Sequence, residues 1–217
     1  MSKKERTSRW RVQYTQKTRI GIQKSTMSTL PNISKLTLGP ILTTTKGSKQ
    51  IQISKDDGSP VIWTPSEYLE VAFEPSNFSD EESSRLSICF APTEEIINNF
   101  QGIFETWCIK TLAKKSQELL GSQQTAEQIK EKFQSCVKTS EKGWTSFRCK
   151  MNVAGKNAIQ CWTPERVKCS QPNSWRDCKL KPQLHLKSLY LMNKDIGCVI
   201  EMKHTLIEEI EPECPFE

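Results

Sequence analysis

The side chains best suited to acid–base, nucleophilic or metal chemistry in this sequence are two histidines and nine cysteines. His185 stands between Leu184 and Leu186 in an alternating apolar segment, where an imidazole is more readily a packed structural group than a catalyst. Cys161, Cys169, Cys178 and His185 carry the donor types that zinc takes. They are separated by seven, eight and six residues, however, and not by the short C-x₂₋₄-C knuckles that fold ligand pairs over an ion. Cys89, Cys108, Cys136, Cys149 and Cys198 fall on apolar faces, where a thiol acts as a small hydrophobe. No glycine-rich phosphate loop, H-E-x-x-H or G-x-S-x-G pattern occurs. No catalytic residue, metal ligand or cofactor is assigned, and the sequence reads as that of a non-enzymatic protein.

What recurs is a cation beside a ring. Trp63, Trp144, Phe147, Trp162, Trp175 and Tyr190 lie close in sequence to Lys49, Lys142, Arg148, Lys150, Lys156, Arg166, Arg176, Lys179 and Lys181. Cations neutralise phosphates and flat rings stack on unpaired bases, so this pairing suits a single strand, whereas duplex readers usually present a protruding helix or ribbon. The expected contacts are Lys49, Arg148, Lys150, Lys179 and Lys181 for phosphates, and Trp63, Trp162 or Trp175 for bases. Core packing competes with this reading at every tryptophan, and a merely solvated strand face competes with it at Arg148 and Lys150.

The elements that must position these residues are mostly strands. Gln50–Ile53, a turn at Asp56–Ser59 and Val61–Trp63 read as a β-hairpin, and Arg85–Phe90 as a half-buried strand. Thr93 offers a helix cap, and Ile96, Phe100, Ile103 and Trp107 recur at helical spacing toward Leu120. Thr125-Ala-Glu-Gln128 is a capping box opening a second helix with Ile129, Phe133 and Val137 on one face. Strand patterning resumes at Phe147–Met151 and Ala158–Trp162. It ends in a hairpin of Gln183–Met192 and Asp195–His204, whose phase slips near Lys187-Ser188 as a β-bulge would require. The expected fold class is mainly β (α+β): a curled five-stranded barrel with a two-helix insertion.

Composition bounds the rest. With 35% hydrophobic and 26% charged residues, the chain can fold around one core, and no window is apolar enough to cross a bilayer as a helix. The first residues lack an apolar signal core, so the expected chain start is at or near Met1. An odd cysteine count points to reduced thiols, hence to an intracellular protein with no membrane partner. The net charge of +6 is unevenly spread: Glu208, Glu209, Glu211, Glu213 and Glu217 close the chain without a basic neighbour. Setting these five aside leaves 31 basic against 20 acidic residues, a body charge of +11. Such a body favours polyanions. Three regions are expected: a flexible basic arm at 1–34, a single domain at 35–206 with its helical insert at 93–138, and an acidic tail at 207–217.

The layout of Gly47–Ile53, Trp63-Thr-Pro65, the Leu86–Phe90 strand, a helix with Phe100, Phe104 and Trp107, the Phe147–Met151 strand and the Leu186–Met202 hairpin resembles the OB-fold single-stranded DNA-binding proteins of phages and large DNA viruses. The resemblance covers about residues 36–206. It implies an OB-type barrel with a strand held across its face, with Arg148 and Lys150 in a basic strand and Lys49 in an earlier one. It also implies protection of exposed strands in replication, recombination or repair. The tail residues Glu208, Glu209, Glu211, Glu213 and Phe216 would then recruit replication proteins. A homodimer stays open, and the rival reading is an interaction or scaffold module that binds no nucleic acid.

Overall fold

A computed structural model of the chain describes residues 30–44, 47–77, 83–192 and 194–210. Most of the basic arm, together with Glu211, Glu213 and Phe216, lies outside the described residues.

In chain order the strands are β1 (Leu36–Thr43), β2 (Lys49–Lys55), β3 (Ile62–Trp63), β4 (Leu69–Ser76) and β5 (Arg85–Phe90). The helical insertion follows as α1 (Glu94–Ile97), a π-helical stretch (Asn98–Glu105), α2 (Thr106–Lys114), α3 (Ser116–Leu120) and α4 (Ala126–Lys132). The chain then returns to β6 (Phe133–Gln134), β7 (Val137–Thr139), β8 (Thr145–Asn152), β9 (Gln160–Trp162), β10 (Lys168–Cys169), β11 (Cys178–Met192) and β12 (Asp195–Glu209). No described helix is long and apolar enough to cross a membrane, which says nothing of strands.

The two 15-residue strands β11 and β12 form an antiparallel spine running from Cys178 opposite Glu209 to Met192 opposite Asp195. Along its other edge β11 takes three antiparallel partners in succession: β4 at Lys179–Leu180, β3 at Leu184–His185 and β2 at Ser188–Leu191. Along its own outer edge β12 takes three parallel ones: β6 at Ile196–Gly197, β8 at Glu201–Met202 and β9 at His204–Leu206. Because β4 also pairs β5 and β5 pairs β8, the strands β4, β5, β8, β12 and β11 close a five-membered ring. This ring is consistent with an OB-like fold. Register shifts between Gln183 and Leu184 and between Leu186 and Ser188 bend the spine, the second at the expected bulge.

The core fills the ring's inner face and the underside of the helices. Phe90, Phe100, Phe104 and Phe147 are fully buried, with Phe100 4.7 Å from Phe147 and 5.6 Å from Trp63, centroid to centroid. Each such ring contributes on the order of 2–3 kcal/mol by leaving water. Local signals set the insertion. The Thr93 hydroxyl accepts from the Ile96 N–H, Thr125 and Gln128 make both bonds of the capping box, and Gly121 ends α3 at φ 75°.

Several expectations change. Residues 50–63 form no hairpin: β2 pairs β1 on one side, and β2 and β3 both run antiparallel to successive stretches of β11. A strand as long as β11 can accept both, and the Gly58 turn displaces the chain sideways without reversing its pairing. The second helix stops at Lys132, so Phe133 and Val137 sit in β6 and β7, pairing with β12 and β8. Strand β4 went unread although Leu69, Val71 and Phe73 alternate with Glu70, Ala72 and Glu74. At the boundaries, Leu30 is already buried, and Glu208 and Glu209 belong to β12, opposite Lys179 and Cys178.

Candidate nucleic-acid interface

Side chains alternate across a strand, and residues directly paired in register share a face. On β8, Phe147, Cys149 and Met151 are buried in the core, so Ser146, Arg148, Lys150 and Asn152 point to the outer face of the ring. Register extends that face from strand to strand. Arg148 pairs with Cys89 of β5, which pairs with Phe73 of β4. Lys150 pairs with Ser87 on one side and Glu201 of β12 on the other, and Glu201 with His185 of β11. Tyr190 faces Gly197, and Trp162 of β9 faces Leu206, which pairs with Lys181, while Lys168 flanks Trp162 from β10. Residues from seven separated segments thus share one surface.

This surface is basic, with two hollows. One, of about 190 Å³, is lined by Ser87, Lys138, Ser146, Arg148, Lys150 and Tyr190. The other, of about 380 Å³, is lined by Arg85, Asn152, Lys156, Lys187, Lys203 and His204. Glu201, its carboxylate buried, organises the cations between them: its Oε1 accepts from Arg85 at 2.6 Å and from Lys187 at 3.0 Å. Lys150 Nζ donates to Ser87 Oγ at 2.6 Å. Burial, then the like charges of Arg85 and Arg148, push the Lys150 ammonium below the ordinary lysine range. Burial and then Lys203 likewise lower His185, against the pull of Glu201, and its Nδ1 has no hydrogen-bond partner.

Rings stand at both ends of the cations. Phe73 is 54% and Trp144 40% exposed, and they meet edge to face with centroids 4.9 Å apart beside the row of Arg148. Two large rings in contact at the surface leave a joint apolar patch in water. At the far end the half-buried Trp162 donates its Nε1–H to His204 Nδ1 at 3.4 Å. Between them Tyr190 lies flat over Gly197: a Cβ added at position 197 would fall 2.5 Å from the tyrosine oxygen.

Of the residues singled out in the sequence, Arg148, Lys150 and Trp162 come together here. Lys179 and Lys181 also occupy the outer face, nearer the Glu209 end of the spine, with Glu70 at 3.8 Å from Lys179 and the Ser66 carbonyl accepting from Lys181 at 2.6 Å. Trp63 and Trp175 do not belong to the surface. Trp63, 3% exposed, pairs with Leu184 on the inner face against Phe100, and Trp175, 6% exposed, is buried ahead of β11. Lys49 is exposed, but it sits opposite Leu191 at the tip of the spine, in a different groove. The reading from sequence missed Phe73, Arg85, Lys187 and Lys203. The apolar–acidic alternation of residues 69–74 marks a strand but would set Phe73 in the core with Leu69 and Val71; the register shift between Val71 and Phe73 turns it outward.

Cys161 and Cys169 face one another across β9 and β10. Burial first, then Cys169 and Cys178, push the Cys161 thiol up to about 12. Among the described residues no cluster of three or more His, Cys, Asp or Glu side chains is placed to hold a metal.

No protein-family model matches the sequence, and neither does any curated protein. Among solved structures the chain is similar to the single-stranded DNA-binding protein of bacteriophage Enc34. The match to its complex with ssDNA has a TM-score of 0.45 and 12% identity, over 83% of this chain and 98% of that one. The match to the same phage protein without DNA has a TM-score of 0.43 and 11% identity, over 83% and 95% of the two chains. Its C-terminal truncation gives 0.43 and 11%, over 83% and 98%.

Proposed function

We propose that this protein binds single-stranded DNA, with little sequence preference and without catalysis, across the outer face of an OB-type ring. The observation that carries the reading is the exposed Phe73–Trp144 pair standing next to the row of Arg148, Lys150 and Arg85. Rings flush with a basic sheet suit splayed bases and a tracking phosphate backbone, whereas a duplex needs an element that enters a groove. Trp162 and Tyr190 extend the stacking path toward Lys187 and Lys203. Its role is to cover exposed strands during replication, recombination or repair. The acidic segment with Glu211, Glu213 and Phe216 recruits replication proteins.

Titration with oligo-dT at low salt, followed by tryptophan fluorescence, tests the proposal. Binding quenches Trp144 emission, and Phe73→Ala or Trp144→Ala weakens affinity by about 1–3 kcal/mol per stacked base, while melting falls only slightly because the two rings pack mainly on each other at the surface. Undiminished affinity in the double variant would place the strand elsewhere, and absence of binding by wild type would end the proposal.

A further inference from the structure

The hollow of about 380 Å³ on the outer face is furnished differently from the rest of that face. Four cations line it, Arg85, Lys156, Lys187 and Lys203, against the single carboxylate of Glu201. The amides of Asn152, Asn157 and Gln160 add neutral donors, and the ring in its lining is the imidazole of His204. Because His204 Nδ1 accepts from Trp162 Nε1–H at 3.4 Å, the imidazole proton sits on Nε2, which makes that nitrogen a donor as well. Such a lining offers little to the face of a base and much to an anionic oxygen.

The hollow is also built in advance. Glu201, its side chain 8% exposed, holds Arg85 at 2.6 Å and Lys187 at 3.0 Å, so two of the cations are already in place before a ligand arrives. Lys156 and Asn157 come from the loop between β8 and β9, which is closed on itself: the Ile159 N–H donates to the Asn152 carbonyl at 2.7 Å and the Ala158 N–H to the Gly155 carbonyl at 3.0 Å. Gln171 Nε2 pins the same loop through the Val153 carbonyl at 2.8 Å. Charge then selects the ligand. A phosphodiester inside a strand brings a single negative charge. A phosphomonoester brings about −1.5 to −2 near neutral pH and three acceptor oxygens. Four cations and several neutral donors against one carboxylate exceed the needs of the diester and come closer to those of the monoester.

We infer that the hollow around Glu201 takes the terminal phosphate of a single strand, a phosphomonoester held by Arg85, Lys156, Lys187 and Lys203 while the adjoining base lies toward Trp162. The inference rests on single-strand binding by the outer face and adds that the protein tells a phosphorylated strand end from an internal stretch. A phosphorylated end is then a preferred starting point for covering an exposed strand.

Competition binding of the full chain at low salt tests this with three oligo-dT strands of equal length: one with hydroxyl ends, one with a 5′-phosphate and one with a 3′-phosphate. Wild type favours one phosphorylated strand over the hydroxyl-ended strand by about tenfold, the order of one charge-assisted hydrogen bond. The favoured end gives the polarity of the bound strand. Lys156→Gln with Lys203→Gln abolishes that ratio, whereas the charge-matched Lys179→Gln with Lys181→Gln keeps it, whatever each pair does to affinity as a whole. Lys156 and Lys203 are exposed, so melting of the first double variant reports an intact fold. Equal affinity for all three strands, an equal gain from both phosphorylated ends, or loss of the ratio in both double variants alike would each overturn the terminal-phosphate site and leave single-strand binding standing. Failure of wild type to bind any of the three would instead overturn the DNA-binding proposal, and this inference with it.

Discussion

Lys150 carries its charge on a crowded face, half-buried, with Arg85 and Arg148 beside it. Both burial and like charge disfavour its protonated form, so in the free protein it gives up its proton at lower pH than an ordinary lysine. A phosphate laid against it favours the charged form and raises the pKa again. Between the two values binding takes up a proton, and affinity therefore falls as pH rises through that window. Oligo-dT affinity measured at constant salt from neutral to about pH 10 should decline before the exposed lysines titrate, and Lys150→Gln should flatten the decline. A Gln variant with the wild-type slope would assign the proton to another group. Glu201 has a complementary role at this scale. It fixes Arg85 and Lys187 and leaves most of the positive charge of the surrounding cations unneutralised.

Among the elements, the β11–β12 spine does most of the positioning, because every strand of the outer face is registered to it directly or through one intervening strand. Its regularity depends on local exceptions. The bulge near Lys187 turns that side chain toward Glu201, and Gly197 makes room for Tyr190. Gly197 has no positive φ to explain it, and its reason is the ring pressed against it. Gly197→Val should eject Tyr190 from the sheet. The expected outcome is a solvent-exposed tyrosine, read by its return toward an ordinary phenol pKa in ultraviolet titration, since burial now raises it. Oligo-dT binding should weaken several-fold. An unchanged titration would mean that the ring tolerates the side chain. The helical insertion bears on the site from behind, through Phe100 against Phe147, the neighbour of Arg148.

For the molecule as a whole, the body charge and the ring act together. Counterion release gives single-strand binding a salt slope of about −0.7 for each neutralised phosphate. Replacing Arg148 and Arg85 by Gln should shallow that slope by about 1.4 if each meets one phosphate. Lys179→Gln and Lys181→Gln should change it less, because Glu208 opposite Lys179 on one side and Glu70 on the other make that end of the spine less cationic. Equal effects from both pairs would spread the strand over the lower spine as well.

Local sequence carries what depends on neighbours along the chain: the period-two alternation of Phe147–Met151, the capping box at Thr125, the bulge at Lys187-Ser188, the cationic body and the vocabulary of rings and lysines. It could not rank the rings. Trp63, Trp162 and Trp175 look alike in sequence, yet one packs on Phe100, one holds His204 and one is buried ahead of β11. That sorting was decided by ring closure, a long-range event that joins Arg85 to Glu201 across 116 residues and sets Phe73 against Trp144. The physical reason is parity. A one-residue difference in register moves a side chain between core and solvent, and register is fixed by partner strands that the local sequence does not name.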